Sequence, residues 1–178
     1  MTKISFRVLA PAAALAVLLS ACGGGGGDDE GVFVDERDPS ASGLSASMNV
    51  AAPAGTALSG TYASNNIFLN NVTKVDPIGA PVETCRFRFS ALEQQGVTPA
   101  RRMDGDIRYL PGTNALENTV VSINTIEFAM AGTTRAIVDK PNNRIIYDGA
   151  VLTSTQNTGQ SITLTGSIPM RGDRPEGC

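Results

Sequence analysis

The segment TCRFRFS, residues 84–90, has the pattern that decides the fold. Its apolar residues Cys85, Phe87 and Phe89 alternate with polar ones, so the two kinds of side chain lie on opposite faces of an extended chain. The segment QSITLTGSI at 160–168 alternates in the same way. Period-two alternation is typical of β-strands that have one face against a core and the other in water.

Turn residues join further segments of this kind. KPNN at 140–143 predicts a hairpin, because proline suits the second position of a turn. NTGQ at 157–160 separates two more strands, and the pair at 65–66, Asn-Asn, predicts an earlier hairpin. In TVVSINTIEFAM, residues 119–130, the apolar positions change parity, which predicts a bulge or bend near residues 124–125.

These segments predict a single all-β domain over residues 58–178. This length is enough for one core and too short for two. We expect about eight antiparallel strands in a sandwich or a small barrel, and the short, even connections favour a meander. One segment, SALEQQG at 90–96, predicts a turn or two of helix ended by Gly96.

The N-terminus has the three zones of a secretory signal. Lys3 and Arg7 give it a positive start, residues 8–19 form an apolar run, and small residues lead into Cys22. The run is too short to cross a bilayer, because a spanning helix needs about 20 apolar residues. Residues 1–21 are therefore predicted to be a signal peptide.

The tetrad Leu19-Ser20-Ala21-Cys22 resembles the lipobox of bacterial lipoproteins. The resemblance implies cleavage before Cys22 and attachment of acyl chains to that residue. In lipoproteins, aspartate after the cysteine favours retention in the inner membrane. Gly23 stands there instead, which implies the outer membrane, with the periplasmic face and the cell surface both left open. Several acyl chains on one residue are sufficient for stable anchoring, whereas a single chain is not.

Residues 22–57 are predicted to be a flexible tether between the anchor and the domain. Gly23 to Gly27 is a flexible spacer, and residues 28–38 contain six acids and one base. Residues 39–57 are rich in Ser, Ala, Gly and Pro. Such a composition buries too little apolar surface to offset the entropy of ordering the chain.

The cysteines predict one disulfide. With Cys22 acylated, Cys85 and Cys178 remain as a pair in an oxidising compartment. The bridge would close a long loop and fix the last residues of the domain.

Charge and composition argue against several function classes. From residue 39 onward, 11 bases balance 11 acids, so there is no basic face for nucleic acid. The chain has no histidine, which removes the usual catalytic base and imidazole metal ligand. Its remaining amines in this part are Lys74 and Lys140, and we expect Lys140, in a turn, to be exposed with an ordinary pKa. The sequence therefore predicts no enzyme activity, no catalytic residues, no metal and no cofactor.

Arginines on the polar face supply the main candidate site. The alternation places Arg86 and Arg88 on one face with Arg101 and Arg102 near in sequence, and together they are a candidate anion-binding patch. The alternative is that they only keep the strand soluble and protect its edge.

Three weaker motifs compete with the arginine patch. Asp104 and Asp106 resemble half of a calcium loop, but the full pattern is missing. An acidic pair for glycoside hydrolysis would come from a set of six acids. RGD at 171–173 matches an integrin-binding tripeptide, or is simply a polar terminus. The six acids are Glu93, Asp104, Asp106, Glu127, Asp139 and Asp148.

Three functions follow from this sequence. The first is a lipoprotein of the outer membrane with a non-catalytic domain that binds another envelope protein or has a structural role. The second is a small barrel that carries an apolar ligand inside. The third is a hydrolase that uses carboxylates. A central cavity would favour the carrier, and a filled core would oppose it.

Overall fold

The computed structural model describes residues 39–75, 82–156 and 159–178. Within these ranges the protein is all-β, with twelve strands and a short 3₁₀ turn at Lys140–Asn142. The strands are β1 (Ser40–Ala41), β2 (Ala46–Ala51), β3 (Gly60–Ser64), β4 (Phe68–Leu69), β5 (Thr73–Val75), β6 (Thr84–Gln94), β7 (Arg102–Tyr109), β8 (Leu116–Ile123), β9 (Ile126–Ala131), β10 (Ala136–Asp139), β11 (Arg144–Ser154) and β12 (Ser161–Pro169).

Eight of these strands form a closed antiparallel barrel. The ring runs β2, β3, β6, β7, β8, β9, β11, β12 and back to β2. Closure occurs at β6, which pairs with β3 along one edge and with β7 along the other. Neighbours in the ring are also neighbours along the chain, so the barrel is an up-and-down meander. The prediction of about eight antiparallel strands is confirmed, and the barrel replaces the sandwich.

The four remaining strands extend this ring. β4 and β5 follow β3 along the same edge of β6, and β10 follows β9 along the same edge of β11. β1 pairs with β4 outside them. The β10–β11 hairpin turns at KPNN, where Asn143 has a φ of 50°, so this predicted hairpin is confirmed. The pairing of β11 with β12 confirms the reversal predicted at 157–160, although residues 157–158 themselves lie outside the described residues.

A bulge in β6 replaces the helix predicted at 90–96. The pairing of β6 with β7 shifts between Phe89 and Leu92, and Ala91 adopts a φ of 67°. After the bulge the alternation resumes, with Leu92 and Gln94 buried and Glu93 exposed. The helix prediction is therefore wrong, because the extra residue of a bulge hides the period of two.

Two other turn predictions need correction. Residues 124–125 form a tight hairpin rather than a bulge, and Ile123 faces Ile126 across it. The reversal restores a common face for the apolar residues of β8 and β9. Residues 65–66 do not form a hairpin, because β3 and β4 run in the same direction along β6. Asn66 instead accepts a hydrogen bond from the backbone N–H of Gly43.

The barrel begins before the boundary predicted at residue 58. β2 lies between β3 and β12, and its pairing with both strands completes the ring. Its residues alternate between buried and exposed, with Ala46, Met48 and Val50 in the core. The prediction of a disordered tether is therefore wrong for this stretch, because small residues with period-two spacing are sufficient for a strand between two neighbours. Residues 1–38, with the signal and the first part of the tether, lie outside the described residues.

Large apolar side chains from all eight strands of the ring fill the barrel. In nine of these residues, at most 2% of the surface is within reach of a water molecule, whether from outside or from an interior space. A cavity of several hundred Å³ would leave its lining side chains accessible, so there is no such cavity beside these residues. They are Met48, Tyr62, Phe87, Leu92, Ile107, Val121, Phe128, Leu152 and Leu164.

The tyrosines belong to this core and have hydrogen-bond partners inside it. The Tyr62 hydroxyl donates to the carbonyl of Leu58, and the Tyr109 hydroxyl donates to the backbone oxygen of Cys178. Tyr147 shares a hydrogen bond with the hydroxyl of Thr119. Burial raises the pKa of all three phenols above the ordinary 10.0, and for Tyr147 the bond with Thr119 opposes this only in part.

The C-terminal segment packs across one end of the barrel. Cys178 is bonded to Cys85 at the start of β6, which confirms the predicted disulfide. The carbonyl of Gly177 accepts hydrogen bonds from the backbone of Gly112 and from Lys140 Nζ. The bridge thus fixes a segment that has no strand of its own after β12.

We predict that the disulfide contributes measurably to stability. The two cysteines are 93 residues apart in sequence, and the chain-entropy model assigns about 4–5 kcal/mol to loops of this size. Cys178→Ser should therefore lower the melting temperature by on the order of 10 °C. The double variant Cys85→Ser/Cys178→Ser should melt at the same temperature as the single variant. A single variant as stable as the unreduced wild type would contradict the prediction.

We also predict a loss of stability above pH 10. The unfolded phenols lose their protons from pH 10.0 upward, while the folded core keeps them protonated. The unfolded state then binds fewer protons, so the free energy of unfolding falls by about 1.4 kcal/mol per pH unit for each tyrosine. Because the chain has three tyrosines and no tryptophan, tyrosinate absorbance should appear together with unfolding. Tyrosinate formed near pH 10 with the fold intact would contradict this.

Candidate functional site

A groove of about 310 Å³ lies on the wall formed by β6, β7 and β8, beside the β6 bulge. Its apolar lining comes from Pro39, Phe89, Gly105 and Val120. A side chain at Gly105 would overlap the ring of Phe89, so this glycine allows the ring to pack against the backbone of β7. The floor of the groove is therefore mainly the peptide backbone at Gly105, with the buried ring of Phe89 packed against that glycine.

Polar side chains around this floor occur in cross-strand rows. One row places Arg88 opposite Asp106, and the next places Asp104 opposite Ser122. Beside Asp104, the bulge presents Ser90, which is 9% exposed. Arg102 at the start of β7 completes the polar lining.

A carboxylate holds the bulge in its conformation. Asp104 Oδ1 accepts a hydrogen bond of 3.1 Å from the backbone N–H of Ala91 and one of 2.8 Å from Arg102 Nε. A non-glycine residue at positive φ costs about 1–2 kcal/mol. Bulges and such backbone outliers are common beside binding sites, because they change the direction of a strand and its side chains.

The second carboxylate of the groove is paired with arginines. Asp106 accepts hydrogen bonds from Arg86 through both carboxylate oxygens, with 2.9 Å between Nε and Oδ2. Arg108 Nε lies 3.9 Å from Asp106 Oδ1. These contacts neutralise Asp106 and limit its repulsion of other anions.

The structure brings together three of the four arginines predicted to form an anion patch. Arg86, Arg88 and Arg102 lie on one wall, and Arg88 and Arg102 line the groove. Arg101 lies outside the groove and donates to Gln94 Oε1 at 3.1 Å. The patch also contains Asp104 and Asp106, which the arginine pattern alone did not indicate, so its positive charge is smaller than predicted.

Of the six candidate acids, Asp104 and Asp106 line the groove together, and each accepts a hydrogen bond from an arginine. Among the described residues, no group of three or more His, Cys, Asp or Glu side chains has the spacing for a metal ion. Glu127 accepts from Thr155, Asp139 from Asn142 and Arg144, and Asp148 lies 3.7 Å from Arg135. These acids belong to separate surface interactions.

The RGD tripeptide is part of the fold. Arg171 Nη2 donates to Ser40 Oγ at 2.9 Å, and Arg171 Nε donates to the carbonyl of Leu69 at 3.2 Å. The guanidinium therefore ties the C-terminal segment to β1 and β4. Its engagement there argues against an adhesive role.

The lysines differ from each other in environment. Lys74 pairs with Glu83 at 3.1 Å on the surface. Lys140 is half-buried, donates to the carbonyl of Gly177 at 2.6 Å, and lies over the ring of Tyr109. Burial, and then the nearby charge of Arg174, lower the pKa of Lys140. The expectation of an exposed amine with an ordinary pKa is therefore wrong.

Sequence reasoning missed the residues that shape the groove. Ser90, Ala91, Val120 and Ser122 converge through the bulge and the β6–β7–β8 register, neither of which the pattern reveals. Pro39 lies in the stretch whose composition predicts a tether. The one available signal was Gly105, since an interior glycine in a strand indicates a close approach of other groups.

No family model matches this chain, and no curated protein or solved structure is significantly similar to it. In the part of the chain that the structure describes, no helix is long and apolar enough to cross a membrane.

We predict that Asp104 stabilises the groove. Asp104→Ala removes the hydrogen bonds to Ala91 and Arg102, and should lower the free energy of unfolding by about 1 kcal/mol. Asp148→Ala is the matched control, because that carboxylate is 84% exposed and should cost less than about 0.5 kcal/mol. Denaturant titration of both variants measures the difference. Equal effects would show that Asp104 has no special role at the bulge.

Proposed function

We propose that this protein is a lipid-anchored envelope lipoprotein whose barrel is a non-catalytic binding module acting through its outer surface. The proposal that the barrel binds through its outer surface rests on one observation, the filled interior of the barrel. Side chains of all eight ring strands leave no space beside them for a ligand. The bulge groove on the outer wall, by contrast, is open and lined by charged and apolar groups.

The packed core also separates this proposal from the carrier. A closed eight-stranded barrel is a suitable scaffold for carriage of an apolar ligand. Carriage in the interior, however, needs a cavity of at least about 300 Å³. The fully buried side chains of β6, β7 and β11 occupy that space here. We therefore favour binding at the outer wall over carriage of a ligand inside the barrel.

The chemistry of the described residues supports a binding role over catalysis. Cys85 and Cys178 are bonded to each other, and Asp106 is paired with Arg86. Lys140, the one amine with a lowered pKa, donates to a backbone carbonyl beside the C-terminal segment. We therefore propose no hydrolase activity.

The anchor rests on the lipobox resemblance of residues 19–22, which lie outside the described residues. A cysteine at the end of a short apolar run, followed by glycines and acids, suits a lipid anchor with a spacer. Residues 23–38 then separate the acyl chains from the first strand of the domain.

We predict that membrane attachment depends on Cys22. Cys22→Ala should prevent acylation and move the protein from the membrane fraction to the soluble fraction of the envelope. Labelled fatty acid should enter the wild type and not the variant. Cys178→Ser, which removes a different cysteine, is the control and should still be labelled. A Cys22→Ala protein that stays in the membrane fraction would contradict the proposal.

Binding at the outer wall is tested by cross-linking in intact cells. Ser122→Phe places a bulky ring in the groove at a half-exposed position, while Thr165→Phe adds the same ring to the outer face of β12, away from the groove. We expect one identified envelope protein to cross-link to the wild type and to Thr165→Phe, and to be lost with Ser122→Phe. Cross-linking that is equal for all three would place binding elsewhere and contradict the proposal.

A further inference from the structure

We propose that the groove beside the β6 bulge binds a small organic anion, an apolar body that ends in a carboxylate. This inference rests on the proposed function, because it names the chemistry that the outer wall recognises. The groove combines an apolar floor, open hydrogen-bond donors and carboxylates that are already paired with arginines.

The apolar half of the ligand would lie on the floor. Gly105 provides bare backbone and Val120 an aliphatic side chain, and Pro39 covers one side. The ring of Phe89 packs against Gly105 and is only 2% exposed, so it supports this surface from the core. A volume of about 310 Å³ is at the lower end of the range of small-molecule sites, which indicates one short ligand.

The hydrogen-bond donors at the edge of the groove determine the chemistry of the charged end of the ligand. Arg102 uses Nε to hold Asp104, and its two terminal nitrogens donate to no other described residue. Ser90 lies beside Asp104 with a hydroxyl that has no hydrogen-bond partner in the described ranges. A guanidinium matches the planar, two-oxygen geometry of a carboxylate, so these donors favour that anion.

The two carboxylates of the groove do not oppose an anion. Asp106 is saturated by Arg86, with Arg108 nearby, and Asp104 accepts from Ala91 and Arg102. β6 and β7 together have four arginines and three acids, because Glu93 lies opposite Arg102, so these two strands have an excess of one positive charge. These interactions hold the carboxylates in place and orient Arg102 toward a ligand.

Two sources share this chemistry, namely a free short-chain fatty acid and the C-terminal carboxylate of an apolar peptide. Octanoate is the probe for the first, and acetyl-Val-Leu with a free carboxylate is the probe for the second. Their neutral controls are octanamide and the amide of the same peptide, which keep the apolar body and remove the charge.

The test is an NMR titration of the mature protein with these four compounds. We expect one or both acids to shift the Val120 methyl groups and the amides of Ser90, Ala91 and Gly105. The matching amide should bind at least tenfold more weakly, because it lacks the charge-assisted bond to Arg102. Whichever acid binds more tightly identifies the source. An acid and its amide with equal affinity, or no shift at these residues with either acid, would overturn the inference.

Variants separate the role of Arg102 from a general effect of charge. Arg102→Gln should weaken binding of the acid about tenfold and leave binding of the amide unchanged. Arg101→Gln removes the same charge one residue away but outside the groove, and should change affinity less than twofold. Equal losses in the two variants would overturn the inference. Ser122→Phe, which fills the groove and keeps the charge of Arg102, should abolish binding of the acid. It replaces Arg102→Gln in the test if that variant does not fold.

The outcomes also distinguish this inference from the proposed function. If the cross-linked envelope protein is lost with Ser122→Phe but neither acid binds, the outer-wall function stands and the carboxylate inference is wrong. If an acid binds in the groove but no protein cross-links through it, the inference stands and the proposed partner role is wrong.

Discussion

The pairing of β6 with two neighbours is the interaction on which the rest of the structure depends. Its backbone bonds to β3, β4 and β5 on one edge and to β7 on the other, so the sheet closes without an unpaired edge in the ring. Closure also brings the inward side chains of all eight strands into one core. Because β6 is long and must curve around the barrel, it contains a bulge, and the bulge opens the groove on the outside.

A filled interior and a grooved exterior are thus two consequences of one closed sheet. Inward residues such as Tyr62, Ile107 and Leu164 have no surface exposed to water. Chemistry is therefore left to the outward residues, and on β6 and β7 these are mostly arginines and aspartates. The disulfide connects the start of β6 to the C-terminal segment, so the closing strand is also fixed covalently.

The sequence predicted the regular strands and missed the places where regularity is broken. Alternation in 84–89 and 160–168 correctly indicated half-buried strands, and Pro141 correctly indicated a hairpin. The sequence around Ala91 predicts a helix where the strand has a bulge, because one extra residue shifts the apolar spacing away from two. Two residues that face each other across a tight hairpin point to the same side of the sheet. The apolar pattern of a hairpin is therefore the same as that of a bend within one strand.

The candidate site could be predicted only in part, for a related reason. Alternation predicts Arg86 and Arg88 on the outer wall, but Asp106, the carboxylate that pairs with Arg86, comes from β7 through long-range pairing. The groove also depends on the register between β6, β7 and β8. That register is determined by the pairing of all eight strands of the ring.

The most direct test of the central claim is the response of the core methyl groups to xenon, which enters apolar cavities. Methyl NMR spectra of the mature protein under xenon pressure should show no saturable shifts for Leu92, Ile107, Ile123 or Leu152. Saturable shifts of these inward methyl groups would reveal an interior cavity, and would contradict the account in favour of a carrier.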